Sequence, residues 1–451
     1  MSDGADAIAL PDDLLLGCAT SATQIEGGDV AHSWSRHCDD GKTRDGSHTR
    51  DAGGHWERVA EDVDLLERMH QQTYRMSIEW ARVQPEKDRW DEDALARYRE
   101  ELGLLRDKGI VPLVTLHHFT NPLWVEHARG WENREILDAF LAYVEVVVNR
   151  LGDLVSDWVT INEPTVYAFH GYLERTWPPA TRQRPLRRYR QSVRNMLRAH
   201  IRAHKRVHEI YKGKGWTPDA RVGMALHFMD FAPSRHGKKR DRMATWLAEQ
   251  LFQDEPSMAH ARGHFLPPYG FPHRYNNFPE GSGDFTDFVG VSYYRRFRVR
   301  FHPRGRIVER PDPSAPTSDL GWEIDPEGLR RVCAACHESL GKPLFITGNG
   351  IATEEDAVRS RFIRDHLAEL VAARSAGIPI ERYYHRSFLD GFEWGEGMSA
   401  KFGLVAVDPS TRERTVKPSG DYYADACLSR LLQPGDDPAP SNHGSAHTDR
   451  P

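Results

Sequence analysis

Residues 111–118 read Val-Pro-Leu-Val-Thr-Leu-His-His and residues 158–164 read Trp-Val-Thr-Ile-Asn-Glu-Pro. Each is a short apolar run that ends abruptly in polar side chains. Between them, Arg134–Leu151 repeats its apolar residues at helical spacing. An apolar run of four to eight residues suits a strand buried on both faces, and a helical stretch joining two of them suits a right-handed crossover between parallel strands. The same alternation extends outward in both directions. Strands are predicted at Leu14–Ala19, Gln72–Ser77, Val111–Leu116, Trp158–Ile161, Arg221–Leu226, Asp287–Val291, Leu344–Ile346 and Arg382–Phe388, with further helical patterns at Asp93–Lys108, Arg188–Tyr211 and Glu354–Ala376. Eight strands alternating with helices predict an α/β fold, a single (β/α)8 barrel with its site at the C-terminal ends of the strands. No glycine-rich phosphate loop follows the first strand, which argues against a dinucleotide-binding sheet. Residues 1–10 are expected to form an N-terminal extension, 11–432 the barrel, and 433–451, rich in Pro, Asp, Ser, Gly and His, a disordered tail.

Composition narrows the function classes. The net charge of −6 argues against nucleic acid as a partner, and the Arg-rich stretches Arg182–Arg198 and Arg235–Arg242 read as solvated faces. The 12 tryptophans exceed what a core of this size requires and suit stacking platforms for sugars. Five cysteines suit a reducing compartment, and Cys333-x-x-Cys336 inside a helical pattern reads as a buried helix face rather than a metal or redox motif. The start MSDGADAIAL carries no signal-peptide pattern and no apolar run reaches 18 residues, so no membrane partner and a cytoplasmic location are expected. His200, His204 and His208 share a helix face but lack the Glu of H-E-x-x-H, so they are expected to be solvated rather than to hold zinc.

The strand ends carry the chemistry. They supply Gln24 and Glu26; Tyr74, Arg75 and Ser77; His117, His118 and Phe119; Asn162 and Glu163; Ser292 and Tyr294; Thr347, Gly348 and Asn349; and Glu393, Trp394 and Glu396. Amides, hydroxyls, imidazoles, carboxylates and an indole converging on one cleft suit a polyhydroxylated ligand. Singly these signals are weak: Asn-Glu-Pro is usually a turn, Arg75 alone is an ion-pairing residue, and Glu393-Trp394 in isolation is core or surface.

Taken in order, they resemble glycoside hydrolase family 1. Thr-Ile-Asn162-Glu163-Pro is similar to its acid/base motif, Phe392-Glu393-Trp394-Gly-Glu-Gly to its sugar-recognition loop, and Ile-Thr-Gly348-Asn-Gly to its Ile-Thr-Glu-Asn-Gly nucleophile motif with one residue changed. The resemblance runs from about Pro11 to Leu432. It implies retaining hydrolysis of β-D-glycosides, with two carboxyl groups ~5–5.5 Å apart, one protonating the leaving oxygen and one attacking the anomeric carbon. Glu163 would be the acid/base, its pKa raised while it awaits substrate. Asn162 would hold the sugar 2-hydroxyl, Arg75 and Tyr294 would orient and ionise the nucleophile, and Gln24, His118 and Glu393 would bind the other hydroxyls beside Trp394. Phe119, Arg386 and Phe402 would complete the substrate side. The substrate would be a β-linked glycoside or oligosaccharide, with no metal or organic cofactor, and the oligomeric state is left open.

Gly348 is the departure that matters, because without a carboxylate there no glycosyl-enzyme can form. The persistence of Glu163, Arg75, Tyr294 and Glu393 favours one replaced position, giving a ligand trap or a glycosynthase; a natural sugar-binding or sensing protein with a dead site is the alternative. Ser292 stands in place of a usual Asn, which would shorten a contact near the acceptor. Arg386 stands in place of a platform Trp, where its guanidinium could stack or bond to a hydroxyl, and Phe119 stands in place of another Trp. Keeping Glu393-Trp394 argues against the 6-phospho-sugar branch of the family.

Overall fold

The computed structural model describes residues 7–181, 183–265, 277–302 and 306–434. Eight parallel strands close on themselves: β1 Leu15–Ala19, β2 Thr73–Ser77, β3 Val111–His117, β4 Asp157–Asn162, β5 Arg221–Pro233, β6 Val289–His302, β7 Leu344–Asn349 and β8 Ile380–Arg386. Each pairs with its sequence neighbours, and β8 pairs with β1 in register Tyr384↔Gly17 and Arg386↔Ala19, which completes the barrel. Outside it run α1 Val59–Arg68, α2 Glu92–Asp107, α3 Ile136–Leu151, α4 Pro185–Lys214, α5 Glu255–Arg262, α6 Pro326–Leu340, α7 Asp356–Ser375 and α8 Pro418–Ser429.

The helices form where apolar residues recur every three to four positions. In α3, Ile136, Phe140, Tyr143, Val144, Val147, Val148 and Leu151 are buried against the barrel wall. Asp91 caps α2 by accepting from the Ala94 N–H at 2.8 Å, and Gly215 ends α4 in the left-handed conformation that glycine adopts without strain. Cys333 and Cys336 lie on the buried face of α6.

Inside the barrel, Ala19, Leu113, Val159, Ala225, Phe288, Phe345 and Tyr384 form a separate apolar cluster. Phe288 and Phe345 stack at 4.1 Å. The guanidinium carbons of Arg221 and Arg382 lie 4.7 and 4.6 Å from the Phe345 ring centre, and Arg382 is bonded to Asp157 at 2.7 Å. This layer is a solid floor, and the polar strand ends stand above it.

Two features extend the expected plan. Ile8–Ala9 pairs antiparallel with Leu431–Leu432, joining the two ends of the described chain. Strands β5 and β6 continue past the barrel rim as a paired extension, Asp230↔Arg296 to Pro233↔Val299. Of the expected tail, residues 435–451 lie outside the described residues, as do residues 1–6 of the extension. The Arg-rich stretches are more engaged than expected: Arg198 is buried on Glu280 at 2.8 Å, and Arg235 pairs with Asp241 at 2.7 Å. No helix among the described residues is long and apolar enough to cross a membrane.

Candidate active site

A cavity of about 720 Å³ opens at the C-terminal ends of the strands, and Gln24, Arg75, His118, Phe119, Asn162, Glu163, Tyr294, Arg386, Glu393, Trp394 and Phe402 all line it. Three of the site residues hold left-handed backbone without being glycine: Phe119 (φ +69°), Glu163 (φ +43°) and Trp394 (φ +54°). Such conformations cost on the order of 1–3 kcal/mol each and persist where surrounding contacts over-determine them. Phe119 and Glu163 follow directly on β3 and β4, where the chain turns sharply out of the barrel, and Trp394 opens a short turn, 394–396, beyond β8.

Arg75 is the buried centre of the site. It donates from Nη2 to Asn162 Oδ1 at 2.5 Å, from Nη1 to the Thr347 carbonyl at 2.6 Å and from Nε to Thr115 Oγ1 at 3.2 Å. All three acceptors are neutral, and no carboxylate lies within ion-pair distance of it among the described residues. Burial lowers its pKa from the usual guanidinium value, opposed at longer range by Tyr294 and Glu163, so a guanidinium with no direct ion pair sits beside residues 347–348.

Gly348 is buried in β7 opposite Ser292 of β6. A Cβ placed at 348 would lie 2.4 Å from Tyr294 Oη and 3.5 Å from Ser292 Oγ. The phenol therefore occupies space that the stem of a side chain would need. Ser292 bonds to Thr347 at 3.2 Å, which places its hydroxyl beside position 348. Burial raises the Tyr294 pKa above the usual phenol range, with Arg386 opposing it.

Glu163 differs from expectation in its ionisation. Burial pushes its carboxyl up, but the His227 imidazole and then Arg75 and Arg386 outweigh this, and its pKa falls below the ordinary glutamate value. His227 Nδ1 lies 3.5 Å from Glu163 Oε2, close enough for an ionic contact though not aligned as a hydrogen bond. A second carboxylate nearby would add to the effect of burial by disfavouring the charge; glycine at 348 supplies no such repulsion.

On the far wall, Glu393 accepts from Gln24 Nε2 at 3.0 Å and from Arg386. Burial raises its pKa to about 7, which the Arg386 contact only partly offsets. The Arg386 guanidinium lines the cavity but does not stand free. It is ion-paired, its carbon 4.3 Å from the Phe402 ring centre and 5.5 Å from that of Tyr294. His118 stacks on Trp394 at 5.9 Å, with Phe119 edge-on to both at 5.1 Å. Burial, then Arg75 and Arg386, drive the His118 pKa well down, so the ring is neutral. His117 points away, bonded to Asn121 at 2.9 Å and Trp131 at 3.2 Å.

The sequence reading missed His227, one residue past the apolar run of strand five, and Trp177, which stacks on His170 at 4.4 Å and packs on Trp394 at 5.8 Å. It set zinc aside at His200, His204 and His208, and did not foresee that Asp287 joins two of them. His204, His208 and Asp287 have ligand atoms within 4.8 Å of one another. There Asp287 already accepts from His208 Nε2 at 2.8 Å and from the Val222 N–H at 2.7 Å. His200 instead bonds Thr160 and the Phe285 carbonyl.

The family description "Glycosyl hydrolase family 1" matches residues 7–430. β-Glucosidase A of Thermotoga maritima is 33% identical over 94% of this chain and 98% of its own length, and β-glucosidase A of Acetivibrio thermocellus is 31% identical over 92% and 97%. Among solved structures, the family 1 β-glucosidase from T. maritima superposes with a TM-score of 0.87 at 30% identity, covering 95% of this chain and all of that one. A β-glycosidase from Pyrococcus horikoshii gives 0.86 at 34% identity, covering 95% and 97%. The match spans both ends of a closed eight-stranded barrel and every strand end that lines its cavity; the chain belongs to glycosyl hydrolase family 1, as an O-glycosyl hydrolase of the β-glucosidase kind.

Proposed function

We propose that this barrel binds β-D-glycosides with their glycone among Gln24, His118, Asn162, Glu393 and Trp394, with Glu163 as acid/base, and that Gly348 stands where the family's nucleophilic carboxylate is absent. The observation that carries this is that buried Arg75 makes no direct ion pair among the described residues and bonds only to neutral acceptors. A guanidinium so deeply buried ordinarily has a carboxylate partner, and the backbone it holds, Thr347, adjoins the one motif position that differs. Without that carboxylate the double displacement cannot begin, so hydrolysis of aryl β-glucosides is slow, far below the ~10 s⁻¹ typical of enzymes.

What remains is half of the mechanism. The depressed pKa of Glu163 leaves it ionised near neutral pH, ready to act as a base. An α-glycosyl fluoride supplies its own leaving group: the C1–F bond breaks as an acceptor hydroxyl attacks C1 from the β face, and Glu163 takes the hydroxyl proton. The product is a β-glycoside that accumulates because its hydrolysis is blocked.

Incubating the protein with α-glucosyl fluoride and a nitrophenyl sugar acceptor tests this reading, with Gly348→Glu assayed on nitrophenyl β-glucoside in parallel. Transfer product from the unmodified protein, its loss in Glu163→Gln and hydrolysis by Gly348→Glu are expected. Rapid hydrolysis by the unmodified protein refutes the reading. Hydrolysis by Gly348→Glu without any transfer refutes the synthase half alone.

A further inference from the structure

The two halves of the cavity differ in chemistry. Around the proposed glycone the wall is polar, built from Gln24, His118, Asn162 and Glu393. On the side of Glu163 from which a leaving group departs, apolar side chains predominate, among them Val166, Phe169, Phe231, Phe252 and Phe297. Phe252 stands edge-on to His227 at 5.9 Å, one residue removed from the Glu163 carboxylate. Phe252 in turn meets Phe169 and Phe231, each at 6.2 Å, and Phe231 meets Phe297 at 5.5 Å. Four phenylalanines thus lead in an unbroken series from the acid/base toward the mouth. All four line the cavity and are only partly buried, so their rings present apolar surface to its interior.

Their origin is the departure from a minimal barrel noted above. Phe231 and Phe297 lie on the paired extension of β5 and β6. Phe252 and Phe169 lie in two wide-wound π-helical turns, 250–254 and 169–174. The charged groups in this wall are paired with one another, His170 with Glu174 at 2.9 Å and Arg295 with Glu309. Arg295 is bonded to Glu309 at 2.9 Å, and its guanidinium carbon lies 4.9 Å from the Phe297 ring centre and 5.4 Å from that of Trp322. A second sugar in this half would strip water from several hydroxyls and find few partners for them. A ring-bearing hydrocarbon would cover partly exposed phenylalanine and meet edges and faces at ordinary aromatic spacing.

We infer that the aglycone of this protein is an apolar, ring-bearing alcohol, aryl or polycyclic, and not a sugar. The inference rests on Glu163 being the acid/base, and it does not depend on what stands at 348.

Calorimetry on the full-length, unmodified protein tests it with methyl β-D-glucoside, cellobiose, 2-naphthyl β-D-glucoside and free 2-naphthol. Each additional buried methylene-sized unit is worth roughly fourfold in affinity, so the naphthyl glucoside should bind at least ~50-fold tighter than the methyl glucoside. Cellobiose should gain no more than about threefold. In Phe252→Ser, and separately in Phe297→Ser, the naphthyl-to-methyl affinity ratio should fall about tenfold or more; thermal melts of both variants show that the fold is retained. Equal binding of methyl and naphthyl glucosides, or cellobiose as tight as the naphthyl glucoside, overturns the inference while leaving the glycone reading intact. If methyl glucoside fails to bind but 2-naphthol binds and Phe252→Ser abolishes that binding, the apolar subsite stands and the glycone reading fails. If neither binds, both are overturned.

Discussion

The contact between Tyr294 and Gly348 can be measured as an energy. A Cβ at 348 would approach Tyr294 Oη to 2.4 Å, about 1 Å inside ordinary heavy-atom contact. The phenol cannot simply swing away: its ring stacks on His227 at 5.6 Å, and the Arg386 guanidinium carbon lies 5.5 Å from its centre. Gly348→Ala should therefore force the ring off its rotamer at roughly 0.5–1.5 kcal/mol. The same substitution stabilises by about 0.4–1 kcal/mol through the unfolded chain, so its net effect alone is uninformative. A double-mutant cycle separates the two contributions. In Tyr294→Phe the hydroxyl is gone, and the nearest remaining ring atom is Cζ at 3.4 Å, an ordinary contact. Urea denaturation of the four proteins should give a coupling of about 1 kcal/mol, with the double variant more stable than the single effects sum to. Additivity within ~0.3 kcal/mol, the scatter for independent sites, would show that the hydroxyl does not occupy the place of a side-chain stem and would remove the steric account of Gly348.

Other outcomes follow from the same geometry. Glu393→Ala should weaken binding of a β-glucoside about tenfold or more, since charge-assisted hydrogen bonds are worth roughly 1.5–3 kcal/mol; unchanged affinity by calorimetry would remove Glu393 from the site. On the proposed reading the sugar is held by the ionised carboxylate; with the Glu393 pKa at about 7, affinity should fall as pH drops through 7, and a flat profile from pH 6 to 8 would contradict this. Azide should partly restore cleavage of an activated aryl β-glucoside and yield an α-glycosyl azide; a β product by NMR would exclude single displacement. Outside the site, buried His55 lies 2.8 Å from Asp62 and 3.0 Å from Glu101, which raise its pKa to about 10 against the opposing effect of burial. Its folded value exceeds the unfolded 6.5, so the stabilisation is complete below pH 6.5 and lost as pH rises through 10. His55→Ala should cost roughly 3–5 kcal/mol near neutral pH, and a loss under 1 kcal/mol would show the network to be dispensable.

The barrel was legible because strands buried on both faces leave apolar runs, and all eight appear where those runs stand. The exceptions have a physical cause. Beyond Leu226 and Val291 the fifth and sixth strands continue as a mixed extension, Asp230-Phe231 paired with Arg296-Phe297, whose composition carries no strand period. Residues at strand ends could be gathered by motif, and the structure brings Gln24, Arg75, His118, Asn162, Glu163, Tyr294 and Glu393 around one cavity. Electrostatics could not be read the same way. The ionisation of Glu163 depends on charges delivered by β2, β5 and β8, and Arg386 is neutralised by a carboxylate seven residues away that only the fold turns back toward it. Likewise Asp287 joins His204 and His208 from 79 residues beyond His208, a juxtaposition no helical pattern contains.

The floor of Phe288, Phe345 and the Arg382–Asp157 pair also sets an order of events. A chamber closed below has one door, so whatever enters first leaves last. With the glycone deepest and the aglycone across the entrance, as proposed above, the aglycone must depart before the sugar. In any turnover this barrel supports, the free sugar should compete directly with intact glycoside. The released alcohol should inhibit in a different pattern, by returning to a chamber that still holds its sugar.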